Sequence, residues 1–200
     1  MYLEEFKPKL VIIAGPNGSG KTSLTYKILR HNWIEGCTYI NPDSIAQDMF
    51  GDWNSNESVL KAAQYSTNLR EELLTNNQSM LLETVLSSDE KVNFIGRAIN
   101  KGYFVRLFFV GTDSPIINAS RIAKRVLNGG HDVPITKIIS RYSKSIANCN
   151  IISTKVDRLY VYDNSVDNVD PILLFRMNSG KTEKIYNKIN SWALNILDKN

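Results

Sequence analysis

Apolar residues along this chain fall in short β-branched runs separated by stretches of helical spacing. Leu10-Val-Ile-Ile-Ala14 is five apolar positions in a row, as expected of a strand buried on both faces of a parallel sheet. After a glycine-rich segment at 15–22, Leu24, Ile28 and Leu29 keep helical spacing. Thr38-Tyr-Ile40 predicts a second strand that ends at Asn41-Pro42-Asp43. A long helix is expected over 57–76, with Ala62, Ser66, Leu69 and Leu73 on one face. Met80-Leu-Leu82 predicts a third strand, and Val92, Ile95 and Ile99 mark the next helix. Tyr103 to Val110 is the clearest strand of all.

Two helices in succession come next. Pro115 suits a first helical turn, and Gly129-Gly130 supplies a stop. Pro134 opens the second, with Ile135, Ile138, Ile139, Tyr142 and Ile146 along its expected apolar side. Leu159-Tyr-Val-Tyr162 and Ile172-Leu-Leu-Phe175 predict the last strands, and 182–197 a closing helix. Alternating strands and helices predict an α/β fold, a parallel sheet flanked by helices on both faces. No repeat or linker interrupts it, so a single domain over 1–200 is expected, with a helical lid at about 112–150.

Composition alters this picture little. Apolar residues make 42% and charged residues 22% of the chain, ordinary globular values. The N-terminal Met-Tyr-Leu-Glu-Glu-Phe-Lys has no apolar run of signal-peptide type, and no segment is apolar enough to span a bilayer. Cys37 and Cys149 lie far apart without a metal-ligand pattern, so a cytoplasmic protein is expected. Charge is more informative. Six cations (Arg121, Lys124, Arg125, Lys137, Arg141 and Lys144) stand against Asp132 alone between Ser114 and Ser145. One basic element on a near-neutral body suits a lid over phosphates. It also fits a solvated basic face. Neither a broad basic surface nor an aromatic platform argues for nucleic acid.

Gly15, Pro16, Asn17, Gly18, Ser19, Gly20, Lys21 and Thr22 satisfy the pattern of a P-loop. Its glycines let backbone N–H groups turn toward phosphate oxygens, Lys21 reaches the β- and γ-phosphates, and Thr22 can hold Mg²⁺. ATP and Mg²⁺ are therefore the expected cofactors. A second Gly-Lys-Thr at Gly180-Lys181-Thr182 is a decoy, because position 175 is Phe rather than Gly.

Other candidates follow strands or lie in the basic stretch. Asp43 follows the second strand, where ligands bind in open α/β sheets. It could accept a hydroxyl proton, or serve only the helix N-terminus beside a Ser44-Ile-Ala-Gln47 capping box. Glu83 ends the third strand and could orient Mg²⁺-bound water or bind substrate hydroxyls, with Thr84 beside it. Asp163-Asn164-Ser165 reads equally as an ordinary turn or as a loop near the nucleotide. Arg121 and Arg125, spaced i and i+4, share a helix face, and Arg141 lies on the next helix. Such arginines stabilise a transferring phosphoryl group. Arg121 and Arg141 are the first choices. His131, at the Gly-Gly tip, suits positioning of substrate or capping.

Four blocks resemble the zeta-toxin and UDP-N-acetylglucosamine kinase family, especially its short bacterial members. They are the P-loop, Asn41-Pro42-Asp43, Glu83-Thr84, and the stretch from Arg121 to Asn148 with its Gly-Gly-His-Asp-Val-Pro core. The last is the most specific. The resemblance implies a P-loop kinase fold and phosphorylation of a nucleotide-activated amino sugar. It implies Asp43 as the base, Glu83 with Thr84 as binders of substrate hydroxyls, and the loop after the Leu159 strand near the nucleotide base. The longer toxin members are blocked by an antitoxin protein, a candidate partner here. Alternatives are a kinase of another hydroxylated metabolite or nucleoside, or a nucleotide-switched ATPase. A nucleic-acid 5′-kinase is a third.

Overall fold

The computed structural model describes residues 7–52 and 54–197. The N-terminal stretch read as lacking a signal-like run lies, except for Lys7, outside the described residues. The chain runs β1 (Lys9–Ala14), α1 (Lys21–Ile28), β2 (Thr38–Ile40), α2 (Pro42–Phe50), α3 (Asn56–Thr75), β3 (Met80–Thr84) and α4 (Asp89–Asn100). It continues through β4 (Phe104–Gly111), α5 (Pro115–Leu127), α6 (Ile135–Ser153), β5 (Arg158–Asp163), β6 (Ile172–Asn178) and β7 (Lys181–Ile185).

These strands form one sheet in the order β2-β3-β1-β4-β5-β6-β7. The first five are parallel and the last two antiparallel. The uninterrupted apolar run of β1 places it in the middle of the five parallel strands, where Leu10 and Ile12 enter one core and Val11 and Ile13 the other. The larger core meets Leu73 of α3, Phe94 and Ile95 of α4, and Ile152 of α6. The smaller is covered by Leu24 and Ile28 of α1. Because order reverses around β1, its carboxyl edge forms the crevice where α/β sheets bind ligands.

Three expectations need correction. No helix spans 182–197: Ser179 (φ 48) and Gly180 (φ 80) make a two-residue turn from β6 into β7, and only a 3₁₀ turn follows at Ser191–Ala193. Two consecutive positive φ angles match the twist of a hairpin. The apolar spacing of Trp192, Ala193 and Ile196 packs that irregular tail onto the core. Second, α6 is rotated from its expected face: Ile138, Tyr142, Ser145, Cys149 and Ile152 are buried, whereas Ile135 and Ile139 are exposed. Third, α2 does not use the capping box at Ser44. It begins earlier, with Pro42 in its first turn and the Asn41 side chain accepting from the N–H groups of Asp43 (3.0 Å) and Ser44 (3.4 Å).

Helices α5 and α6 share a small satellite core of Ile122, Val133 and Ile138, separate from the two sheet cores. Ser114 caps α5 by accepting from the Ile116 N–H, and Gly129 takes positive φ after its end. Among the described residues, no helix is long and apolar enough to cross a membrane.

Candidate active site

Beyond Ala14 the chain passes so close to β4 that a Cβ at Gly15 (φ 151) would collide with the Val110 carbonyl. At Gly18 (φ 77) a Cβ would lie 2.7 Å from the Asn118 carbonyl of α5. Only glycine permits this curl, and it packs the loop between sheet and α5. Asn164, after β5, braces the loop by donating to the Ser19 carbonyl at 2.8 Å. The Ser19 hydroxyl is buried and has no partner among the described residues, a donor left for a ligand oxygen. Lys21 folds back to donate to the Pro16 carbonyl at 3.0 Å.

Glu83 is the penultimate residue of β3, paired with β1 so that Glu83 lies opposite Ile13 and Thr84 opposite Ala14. One Glu83 oxygen accepts from Thr22 Oγ1 at 2.9 Å, the other from Thr25 Oγ1 at 2.9 Å and the Tyr39 phenol at 3.3 Å. The Asn41 amide in turn donates to the Tyr39 oxygen at 3.0 Å. Burial and the nearby Glu83 carboxylate hold the Tyr39 phenol above its usual range. The Thr84 hydroxyl accepts the Leu86 N–H at 3.2 Å and shapes the following turn.

A cleft of about 390 Å³ opens beside this network. Asn17, Lys21, Asp43, Glu83, Thr84, His131 and Arg141 all line it. Burial pushes the Lys21 ammonium below its ordinary pKa, while Glu83 and Asp43 pull it back up and Arg125 and Arg141 add to the lowering. The lysine therefore senses both carboxylates and two of the expected arginines. Asp43 is exposed at the start of α2, where its side chain is free of the capping task that Asn41 performs.

The arginines divide. Arg141 reaches the Asn17 side chain at 3.4 Å on the cleft side. Arg125 clasps the His131 carbonyl through Nε (3.0 Å) and an Nη group (2.6 Å), and Asp43 is the largest charge opposing the fall that burial imposes on its pKa. Arg121 points elsewhere. Its Nε donates to Asp167 at 2.7 Å and an Nη to the Asn164 carbonyl at 2.7 Å. It lines a second cavity with Gly18, Gly20, Ser23 and Asn164, on the other flank of the loop.

A zeta toxin family model matches residues 2–179. The chain belongs to the zeta toxin family. An uncharacterized protein of Haemophilus influenzae is 25% identical over 134 residues, which is 67% of this chain and 92% of the relative. The fold is P-loop kinase-like, as structural neighbours show. AvrRxo1-ORF1:-ORF2 with ATP aligns with TM-score 0.63 and 16% identity over 90% of this chain. This chain covers 61%, about three fifths, of that one. The PezAT chromosomal toxin-antitoxin system of Streptococcus pneumoniae aligns with TM-score 0.61 and 17% identity, over 87% of this chain and 73% of that one.

Several polar residues of this family member were not legible as site residues. Thr25 and Tyr39 share the Glu83 carboxylate, yet in sequence they read as ordinary helix and strand positions. On α6, Ser145 donates to the Val85 carbonyl at 2.6 Å and Asn148 to the Leu86 carbonyl at 3.0 Å. They hold the turn after Glu83, where Leu86 is buried with φ 57, a costly conformation for a non-glycine residue. Asp163 ties Ser165 and the Trp192 indole, at 2.7 and 3.0 Å. That makes it an anchor for the Asn164 loop.

Proposed function

We propose that this zeta toxin family member is an ATP-dependent kinase that phosphorylates a hydroxyl of a UDP-activated amino sugar. One observation carries the kinase reading: the P-loop lysine Lys21 shares a cleft with two carboxylates, Asp43 just after β2 and Glu83 near the carboxyl end of β3. A P-loop that only bound nucleotide would not need an exposed carboxylate facing it across an acceptor-sized cleft.

The loop fits a polyphosphate. Side chains at Gly15 and Gly18 would fill the cradle, and the buried Ser19 hydroxyl lacks a partner among the described residues. The donor set fits a hard cation, since Thr22 and Glu83 offer oxygens. Mg²⁺ bound there would neutralise charge on the β- and γ-phosphates. With both Glu83 oxygens accepting from the threonines and Tyr39, we assign Glu83 to the metal side. Thr84 and His131 are left to the acceptor.

Asp43 takes the proton from the acceptor hydroxyl as its oxygen bonds to the γ-phosphorus. The bond from that phosphorus to the bridging oxygen breaks, and ADP leaves. Lys21 and Arg141 stabilise the charge on the moving group, and Arg125 holds the 129–131 turn near Asp43. Arg121, beside the Asn164 loop, belongs to the nucleoside end of ATP. Helices α5 and α6, with their own small core, form the lid.

The nucleotide-sugar acceptor rests on the family resemblance and on the cations that line the cleft. An antitoxin partner is proposed because the structural neighbour PezAT is a toxin-antitoxin system. Incubation with ATP, Mg²⁺ and a panel of UDP-sugars, free sugars, nucleosides and oligonucleotides tests the acceptor by mass spectrometry. One added phosphate on a UDP-amino sugar is expected. Transfer only to a nucleoside or oligonucleotide overturns the sugar assignment, and acceptor-independent hydrolysis overturns the kinase.

A further inference from the structure

The cleft extends from the P-loop to α3 and α4, where its lining carries two cations not required by phosphoryl transfer. Arg70 projects from α3 with a side chain only 5% exposed. It stacks on Phe94 at 4.8 Å and pairs with Glu90, yet its buried Nε has no partner among the described residues. Lys91, on α4, lies 3.1 Å from the same Glu90. One carboxylate thus serves two cations, and their neighbour Arg97 is already matched by Glu71. Burial is the main influence lowering the pKa of both Arg70 and Lys91, and Arg70 adds further lowering at Lys91.

These charges are distinct from those at the P-loop. Lys21 is influenced by Glu83, Asp43, Arg125 and Arg141, whereas Lys91 is influenced by Arg70, Glu90 and Glu71. The two sets share no member. The fold alone gives no reason to crowd Lys91 against a buried arginine, because an apolar side chain packs at lower cost than an incompletely paired charge. Ser88, the N-cap of α4, also lines the cleft and makes no side-chain capping bond.

We propose that Arg70 and Lys91 form an anion subsite at the α3–α4 end of the cleft. It would take a phosphate or carboxylate that the acceptor carries away from its reacting hydroxyl. The inference rests on the kinase reading for its acceptor, but it names the group that selects among acceptors. Arg70 supplies a fixed fork and Lys91 a mobile point charge, a pairing suited to an oxyanion.

The test is calorimetric, with the P-loop filled by a saturating non-hydrolysable ATP analogue. UDP-N-acetylglucosamine and inorganic pyrophosphate probe phosphate, glucuronate probes carboxylate, and N-acetylglucosamine is the neutral control. Lys91→Gln is the principal variant, because its side chain is partly exposed and it leaves the Arg70–Phe94 stack intact. Arg70→Lys is the second. We expect either variant to weaken the anionic probe that binds by about tenfold or more. Affinity for the ATP analogue and for the neutral sugar should hold. Unchanged anion affinity in Lys91→Gln, or no anionic probe binding to the loaded wild type, overturns the subsite. Absence of transfer to any acceptor, with anion binding still sensitive to Lys91, instead overturns the kinase reading and leaves the subsite.

Discussion

Thr22 donates its hydroxyl to Glu83 across 2.9 Å, so the first turn of α1 and the end of β3 are joined by one hydrogen bond. This bond puts the carboxylate where a metal on the P-loop threonine would feel it. Glu83→Gln keeps the shape and removes the charge. We expect a turnover loss of at least about tenfold and a higher Mg²⁺ requirement for half-maximal rate, with acceptor KM little changed. Initial rates against Mg²⁺ at saturating acceptor check this. A change confined to acceptor KM would return Glu83 to the substrate-hydroxyl role that the family resemblance implies.

Asp43 gives a cleaner separation of catalysis from structure. Because Asn41 caps α2, Asp43→Asn removes no capping bond. Loss of its charge near the helix N-terminus should cost less than about 1 kcal/mol of stability. Turnover should fall by roughly 10²–10⁴-fold while ATP affinity holds. Urea unfolding and single-turnover kinetics on the same preparation measure both. Retained turnover removes Asp43 as the base.

Local signals made the first part of the fold readable. The apolar run Leu10-Val-Ile-Ile-Ala14 and the glycine spacing of the loop each specify a backbone state without help from distant residues. The closing segment failed for the opposite reason. Trp192, Ala193 and Ile196 keep helical spacing, but the hairpin set by Ser179 and Gly180 consumes the preceding residues. The site followed the same rule. Asp43 and Glu83 stood out because each lies at or just past the carboxyl end of a strand, whereas Tyr39 and Arg70 join it through tertiary packing that no local spacing encodes. Arg121 and Arg125 share a helix face in sequence. Their hydrogen bonds send them to Asp167 and to the His131 carbonyl, so i,i+4 spacing alone overstated their common purpose.

That division predicts different kinetic defects for two arginines. Arg121→Ala loses bonds to Asp167 and the Asn164 carbonyl, beside the cavity on the far flank of the P-loop. It should raise KM for ATP and weaken preference for ATP over GTP, with turnover at saturation nearly preserved. Arg141→Ala should lower turnover by at least about 10²-fold through lost stabilisation of the transferring group. Lysine at 141 should rescue only part, lacking the planar fork. Steady-state rates with both nucleotides distinguish the two. Equal turnover losses in both variants would place both side chains on the phosphoryl group.

Lys21 links the site to stability through pH. Its folded pKa lies below the 10.5 of a free lysine, chiefly through burial. Between those two values the unfolded chain binds more protons than the folded protein, so this residue makes stability rise with pH across that window. Below the window its burial penalty is fully present. Lys21→Met removes the charge and should be more stable than the wild type below the window, with the gap narrowing as pH rises toward 10.5. It should also lose detectable phosphoryl transfer, because the γ-phosphate loses the P-loop ammonium, which Arg141 alone does not replace. ATP phosphates would add to the anions Glu83 and Asp43 beside the lysine and raise its pKa. Nucleotide binding within the window should therefore take up protons in the wild type, and Lys21→Met should abolish that component. Calorimetry of a non-hydrolysable ATP analogue in buffers of different ionisation enthalpy measures it. Equal proton uptake by both proteins would show that another group couples nucleotide to pH.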